Sequence, residues 1–394
     1  MEFLKSLRLS GLLSFPPNGE PIALSPLNVL IGPNGSGKSN ILEAVELLHA
    51  TPTAFATAIR DGGGAQEWLW KGSEGSKGAT IEALLSGANT NRDLRYRLTF
   101  SAIGERTEVT DEVIEEATKH RPADKDVFFY YRFNFGHPIL NVKSTGDGWT
   151  KRQLQRESLV PDESVLSQRK DPDQYPELTR VGQQFARIQI FREWSFGRYA
   201  ELRRPQRADL PADTLLPDSR NLGLILNDIE HSGVGSEFNR LLRRFLPRYQ
   251  RLSTRVHSGT VQFYLHEDGL KVPVPATRLS DGTIRFLALL ALLLSPTPPP
   301  LICIEEPELG LHPDVLALFA DLMVDISAKT QLIVTTHSDA LVSALTECAE
   351  SVLVCENNGH GTTVSRLESR KLQHWLDKYR LGEVWRIGEL GGNL

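Results

Sequence analysis

Residues 32–39 read Gly-Pro-Asn-Gly-Ser-Gly-Lys-Ser. Three glycines in six positions, followed at once by a lysine and a hydroxyl, suit one task above others. The glycines let successive backbone N–H groups curl round phosphate oxygens with no Cβ in the way. Lys38 can then reach the β- and γ-phosphates of a nucleotide, and the Ser39 hydroxyl can ligate Mg²⁺. The flanks supply the required context. Leu27-Asn28-Val29-Leu30-Ile31 is an apolar run that predicts a buried strand, and residues 40–48 have the apolar spacing of a helix. The positive N-terminal end of that helix favours an anion. Asn34, Gly35, Ser36, Gly37, Lys38, Ser39 and Asn40 are therefore the candidate phosphate-binding residues, with Ser39 also a candidate metal ligand.

A second set lies far downstream. Leu301-Ile302-Cys303-Ile304 predicts an apolar strand, and it runs into Glu305-Glu306-Pro307-Glu308. Carboxylates at the end of a buried strand are costly unless a metal or a proton transfer uses them. Glu305 is placed to hold Mg²⁺ and Glu306 to orient and deprotonate an attacking water. A further predicted strand, Gln331–Thr335, leads to His337, at the sheet edge where open α/β folds bind ligands. A neutral imidazole there can hydrogen-bond a γ-phosphate or the water. Upstream, Leu279-Ser280-Asp281-Gly282-Thr283 precedes an apolar helical stretch. Ser280 is a plausible N-cap, with Asp281 in the positive first turn.

These motifs need elements to hold them, and 394 residues suffice for two or three domains. The formal charge is −5, from 44 Lys+Arg against 49 Asp+Glu, so the whole chain is not a strongly basic nucleic-acid binder. The 3 cysteines, Cys303, Cys348 and Cys355, have no paired or metal-ligand spacing and suit a reduced cytoplasmic protein. No signal-peptide layout opens the chain, and the longest apolar run, 286–294, is too short to span a bilayer. Residues 2–10 alternate loosely as a first strand, with Phe3, Leu7 and Leu9 on one face, although Leu4 breaks the pattern. Two further strands are expected at Ala79–Leu85 and 94–100. Residues 111–125 are charged, 127–143 are rich in aromatics, and 150–180, with Pro161, Pro172 and Pro176, predict loop or linker. Residues 183–256 are helical in character, and 260–274 predict a hairpin turning at residues 266–269.

Taken in order, the motifs resemble those of an ATP-binding-cassette ATPase of the RecF/SMC/OLD-like branch. Residues 32–39 match Walker A, 279–283 (LSDGT) the signature, and 301–306 Walker B. Residues 308–313 fall at the D-loop, and His337 is the switch histidine. The segments IEEPELGLHP, LSDGTIRFLALLALLL and TTHSDALV, with the closing LGEVWRIGELGGNL, resemble stand-alone bacterial members that lack a Toprim domain. The resemblance is strong over residues 1–50 and 185–394. It implies an α/β P-loop NTPase fold of ABC type with a mixed or helical insertion lobe. It also divides the chain into residues 1–110 and 259–394 as the two halves of the ATPase lobe, with 111–258 as the insertion. It implies a head-to-tail homodimer, or a higher homo-oligomer, with ATP sandwiched between Walker A of one copy and Ser280, Asp281 and Gly282 of the other. Lys38, Glu306 and His337 are then catalytic, and Ser39 and Glu305 hold Mg²⁺. Three departures stand out: Glu305 replaces the usual Walker B aspartate, LSDGT replaces LSGGQ, and only Gln66 offers itself as a Q-loop glutamine.

The expected role is ATP-switched action in DNA repair or anti-phage defence, through a separate nuclease or toxin-like effector. Only about 40 residues follow the last α/β strand, too few for a Toprim domain. A transporter subunit or a scaffold with structural ATP are the alternatives. The arginines add a further expectation. Arg187, Arg192, Arg198, Arg203, Arg204 and Arg207 interleave with Phe191, Trp194, Phe196 and Tyr199, and residues 240–255 carry six arginines and no acid. Such stretches suit DNA or RNA contact through phosphates and stacking. They equally suit amphipathic helices whose arginines pair with surface acids.

Overall fold

The computed structural model describes residues 2–72, 75–87, 92–104, 106–121, 123–134, 136–143, 148–155, 158–192 and 194–392. The last two residues of the resemblance at the C-terminus, Asn393 and Leu394, lie outside them. The chain divides into two compact units. One comprises Met1–Ile188, Ser351–Leu367 and Leu390–Leu394, and the other Gln189–Glu350 and Glu368–Glu389. The expected boundary at 110 falls inside the strand Arg106–Glu116, and that at 258 falls in the turn after the strand Tyr249–His257. The stretch 111–258 is thereby shared between both units.

The first unit contains an eight-stranded antiparallel sheet. Its strands run Ile22–Ala23, Leu4–Ser10, Ala79–Leu85, Leu94–Ile103, Arg106–Glu116, Phe129–Asn134, His137–Lys143 and Trp149–Gln153 in spatial order. Leu4 breaks the alternation because the register slips between Leu4 and Ser6, a bulge that turns Leu4 inward with Leu7 and Leu9. Alternation is regular in Ala79–Leu85, where Ala79, Ile81, Ala83 and Leu85 are buried. Outward residues form cross-strand ion pairs, Arg97 with Asp111 at 3.0 Å and Glu115 with Arg95 at 3.0 Å and Arg132 at 3.2 Å. The charged run near 111 is thus a strand, since its acids have strand partners for their charge.

The helix Pro176–Ala186 overturns the expected linker. Pro176 occupies its first turn, where a missing N–H costs nothing, and Leu178, Val181 and Phe185 are buried. Phe185 meets Phe3 and Tyr96 edge to face, with centroids 6.3 and 5.2 Å apart. Its carbonyl lies 3.0 Å from Nδ1 of His49, on the helix Lys38–Ala50. In the same unit the strand Leu27–Ile31, buried throughout, pairs parallel with Val352–Asn357, which pairs antiparallel with Thr362–Arg366.

In the second unit three parallel strands, Gln189–Phe191, Leu301–Glu305 and Gln331–Thr335, lie side by side. The helix Asp281–Leu293 is buried on every side from Ile284 to Leu293, so its apolar run is core. No helix among the described residues is long and apolar enough to cross a membrane. The expected helical character of 183–256 holds for residues 183–186, the end of the helix Pro176–Ala186, for the short 3-10 turn Glu201–Arg203, and for Leu222–His231 and Gly235–Phe245. Tyr249–His257 is a strand paired antiparallel with Thr260–Glu267, whose β-branched and aromatic residues outweigh the arginines between them. The expected hairpin survives as a short pairing of Tyr264 and Leu265 with Val274–Pro275.

Within the first unit Glu112 is buried and accepts hydrogen bonds from Ser164 Oγ at 2.5 Å, the Val165 amide at 2.8 Å and Tyr96 Oη at 2.9 Å. Burial nevertheless outweighs these donors and raises its pKa from 4.5 to about 7. The folded chain therefore binds this proton more tightly than the unfolded chain. Its contribution to stability is complete below about pH 4.5 and is lost as pH rises through about 7. Urea unfolding should show a lower midpoint at pH 8 than at pH 5.5, and Glu112→Gln should shrink that difference. An unchanged difference in the variant would exclude Glu112 as its source.

Candidate functional site

The glycine loop belongs to the first unit. Gly35 and Gly37 have φ of 77° and 95°, backbone that disfavours any side chain. A Cβ on Gly37 would lie 2.2 Å from Thr362 Oγ1, and one on Gly32 would lie 2.2 Å from the Cys355 carbonyl oxygen. The strands Val352–Asn357 and Thr362–Arg366 thus press directly on the loop. Thr362 Oγ1 hydrogen-bonds Ser14 Oγ at 2.7 Å and the Ser36 carbonyl at 3.0 Å, while Asn40 Nδ2 donates to Ser14 Oγ at 2.7 Å. Asn34 is exposed, and Asn357 Nδ2 donates to the Gly35 carbonyl at 3.4 Å.

Two features of this loop fit a polyphosphate. Lys38 is only 6% exposed and folds its ammonium onto the carbonyls of Gly32 and Pro33 at 2.8 and 2.9 Å, so it stands over the cradle. The buried Ser36 hydroxyl has no hydrogen-bond partner among the described residues. Gly37, which precedes the helix Lys38–Ala50, provides no side-chain cap for its first turn. Gln66 lies exposed on the short helix Ala65–Trp68.

The carboxylates and histidine belong to the second unit. Glu305 ends its strand and accepts from Arg192 Nε at 3.1 Å. At Glu306 the backbone takes φ +45°, a left-handed value that is uncommon for a non-glycine residue, and its amide N–H donates to the Thr335 carbonyl at 3.1 Å. The turn takes Glu306 out of the strand's line and leaves its Oε1 3.7 Å from Nε2 of His337. Both side chains are about one-third exposed, at 32% and 37%. Glu308 ties the two loops together. Its Oε1 accepts from Thr336 Oγ1 at 2.7 Å and from the His337 amide at 2.8 Å. These bonds fix the backbone beneath the histidine.

The signature residues sit at the start of the helix Asp281–Leu293. Ser280 is its N-cap, accepting from the Thr283 amide at 3.1 Å. A Cβ on Gly282 would lie 2.7 Å from the Gly310 carbonyl oxygen, so this glycine is needed for close packing on the loop after Walker B. Arg285, one turn on, donates to the Leu309 carbonyl and stacks over Trp194 and Phe196 at 5.6 and 5.3 Å. Burial lowers its pKa, against the charges of Glu308 and Glu306.

Arg203, read in the sequence as a candidate nucleic-acid contact, has a different role. It is 3% exposed and donates to the carbonyls of Phe196 at 2.8 Å, Ala276 at 3.3 Å and Leu279 at 2.6 Å, and to Asp281. It therefore fixes the short 3-10 turn Ala276–Arg278 that leads into the signature. Arg192 is likewise engaged, with Glu305. Only their clustering with aromatics set these two arginines apart in the sequence, and the clustering was read as surface chemistry. Arg203→Ala would strand three buried carbonyls, so it should cost on the order of 3 kcal/mol of unfolding free energy. Arg203→Lys should recover little of that, because an ammonium cannot reproduce the fork. Denaturant titration of the two variants checks both values.

Four likenesses to known proteins accompany this geometry. A family model described as "AAA domain, putative AbiEii toxin, Type IV TA system" matches residues 27–343. The Old nuclease of Escherichia phage P2 is 26% identical over 186 residues, which are 39% of this chain and 31% of that protein. The match therefore spans under a third of that relative's length. Among solved structures, an SmcHead bound to the C-winged helix domain of ScpA has a TM-score of 0.59 at 16% identity, covering 94% of this chain and 99% of that one. The Smc head domain with an extended coiled coil derived from Pyrococcus furiosus, bound to the C-terminal domain of ScpA, has a TM-score of 0.58 at 14% identity, covering 96% and 99%. At these identities the structural likeness is one of fold, that of an ABC-type P-loop NTPase. With the family model spanning most of its length, the chain belongs to the AAA_21 family, and with it to the ABC/AAA-type ATPases of the RecF/SMC/OLD-like branch.

Proposed function

We propose that this protein binds and hydrolyses ATP with Mg²⁺, that two copies close head to tail on the bound nucleotide, and that hydrolysis separates them. In this reading Lys38 and the backbone amides of residues 34–39 hold the β- and γ-phosphates. Ser39 and Glu305 supply hard oxygen ligands of the kind Mg²⁺ takes, and the bound ion neutralises charge on the phosphates. Glu306 accepts the proton of the attacking water, and His337 hydrogen-bonds the γ-phosphate or that water. Ser280, Asp281 and Gly282 of the second copy receive the γ-phosphate from the far side. The observation that carries the reading is Glu306 itself, held at φ +45° beside His337 by contacts that determine both positions.

The cycle is proposed to act in the cytoplasm, in DNA repair or anti-phage defence, by controlling a separate nuclease or toxin-like effector. The kinship with a nuclease and with a family described by a toxin supports that setting.

Glu306→Gln should retain ATP binding, lower turnover by about 10²–10⁴-fold and trap a dimer in ATP. Lys38→Ala should abolish binding of a fluorescent ATP analogue. Phosphate release and light scattering measure these outcomes, and wild-type turnover in the Glu306→Gln protein would exclude it as the base.

A further inference from the structure

With Arg192 and Arg203 committed to Glu305 and to the signature, the arginines that remain for an outside partner are set by strand register. In the second unit Val261, Phe263 and Leu265 are buried, and Phe263 faces Gly223 on the helix Leu222–His231. The alternate residues Thr260, Gln262, Tyr264 and His266 therefore share the opposite face. Their cross-strand partners on that face are His257, Arg255, Ser253 and Arg251. Arg207 pairs with Thr260 on the other side of the strand and joins the same row. One sheet face thus carries three arginines, two histidines, a tyrosine and three small polar groups.

Arg251, Arg255, Arg207 and His257 are exposed. Arg255 lies over the Tyr264 ring at 5.1 Å, so its planar guanidinium offers a flat outer surface. Tyr264 Oη is held by Gln262 Oε1 at 2.9 Å, and Ser253 Oγ lies 2.9 Å from His266 Nε2. Carboxylates border it: Asp209 pairs with Arg207, Glu267 with Arg248, Asp268 accepts from Gln250, and Glu230 acts by charge on His266, which leaves Arg251 and Arg255 as the arginines of the row for a partner. Burial and the charges of Arg251 and Arg255 lower the pKa of His266, against Glu230. By contrast, Arg240 and Arg244 on the helix Gly235–Phe245 are paired with Glu237 and Asp321.

We infer that the open face of the sheet formed by Tyr249–His257 and Thr260–Glu267 is a nucleic-acid-binding surface. Arg251 and Arg255 contact phosphates and the Arg255–Tyr264 stack receives a base. The two arginines stand about 13 Å apart along one strand, a spacing that engages separate phosphates of one backbone. An acidic protein would satisfy the charges but has no use for the flat stack, and the polar row between the arginines suits sugar and base edges. The inference rests on the reading of the chain as acting in DNA repair or defence, and names the surface through which it would do so.

The test is fluorescence anisotropy of the full chain with a labelled 30-nucleotide single strand and the matching duplex, over a salt series. The wild type should bind with a steep salt dependence. Arg251→Ala/Arg255→Ala should weaken binding by roughly tenfold or more and reduce the log–log salt slope by about two, one for each arginine. Arg251→Lys/Arg255→Lys should restore the slope, and Tyr264→Leu should weaken binding to the single strand more than to the duplex. Arg240→Ala/Arg244→Ala should bind as the wild type does. An unchanged slope in the double alanine variant, or equal competition by polyglutamate, overturns the inference. ATP turnover is measured on the same samples. Turnover without nucleic-acid binding removes this surface and leaves the ATPase reading intact, whereas binding without turnover does the reverse.

Discussion

Three carboxylates follow one apolar strand within four residues, and the second unit is arranged around their charge. Glu305, Glu306 and Glu308 leave a strand whose other residues are buried, so each needs a counter-charge, a donor or access to water. Each obtains a different one. Glu305 has a guanidinium, Glu308 has a hydroxyl and an amide from the neighbouring loop, and Glu306 has partial exposure beside an imidazole. Because Glu308 consumes the donors of residues 336 and 337, it fixes the histidine's backbone and thereby what Glu306 faces. The left-handed dihedral at Glu306 is accompanied by the bond from its amide to the Thr335 carbonyl, while the Glu308 bonds hold the facing loop.

The same logic reaches the signature. Its helix start is held from behind by Arg203 and pressed from the front by the loop that follows the carboxylates, through Gly282 on Gly310 and Arg285 on Leu309. The residues that resemblance assigns to a neighbouring copy's nucleotide are therefore in contact, within one unit, with the loop that follows the proposed base.

Much of this was legible in the sequence because the chemistry sits on strongly patterned elements. The strands Leu27–Ile31, Leu301–Glu305 and Gln331–Thr335 are short, apolar and followed by their functional residues, and the cap at Ser280 follows from residue type alone. What escaped was whatever depended on partners distant in sequence. The strand Arg106–Glu116 shows in the sequence only as the start of a charged stretch, until the arginines of the adjacent strands are set beside its acids. Pro176 reads as a breaker unless it is recognised as a first-turn residue. Arg203 and Tyr249–His257 misled in the same way, since arginine density says nothing of whether a side chain faces carbonyls, carboxylates or solvent.

The grip of Thr362 on Gly37 has a consequence for how the protein is made. The loop of residues 32–39 is shaped by a hydroxyl 325 positions later in the chain and by the strand Val352–Asn357 beside its own. A ribosome that has emitted only the N-terminal half has delivered every residue of the motif but none of the wall it leans on. Competence to capture a triphosphate therefore arrives late in synthesis, after the carboxylate-bearing segment has already emerged.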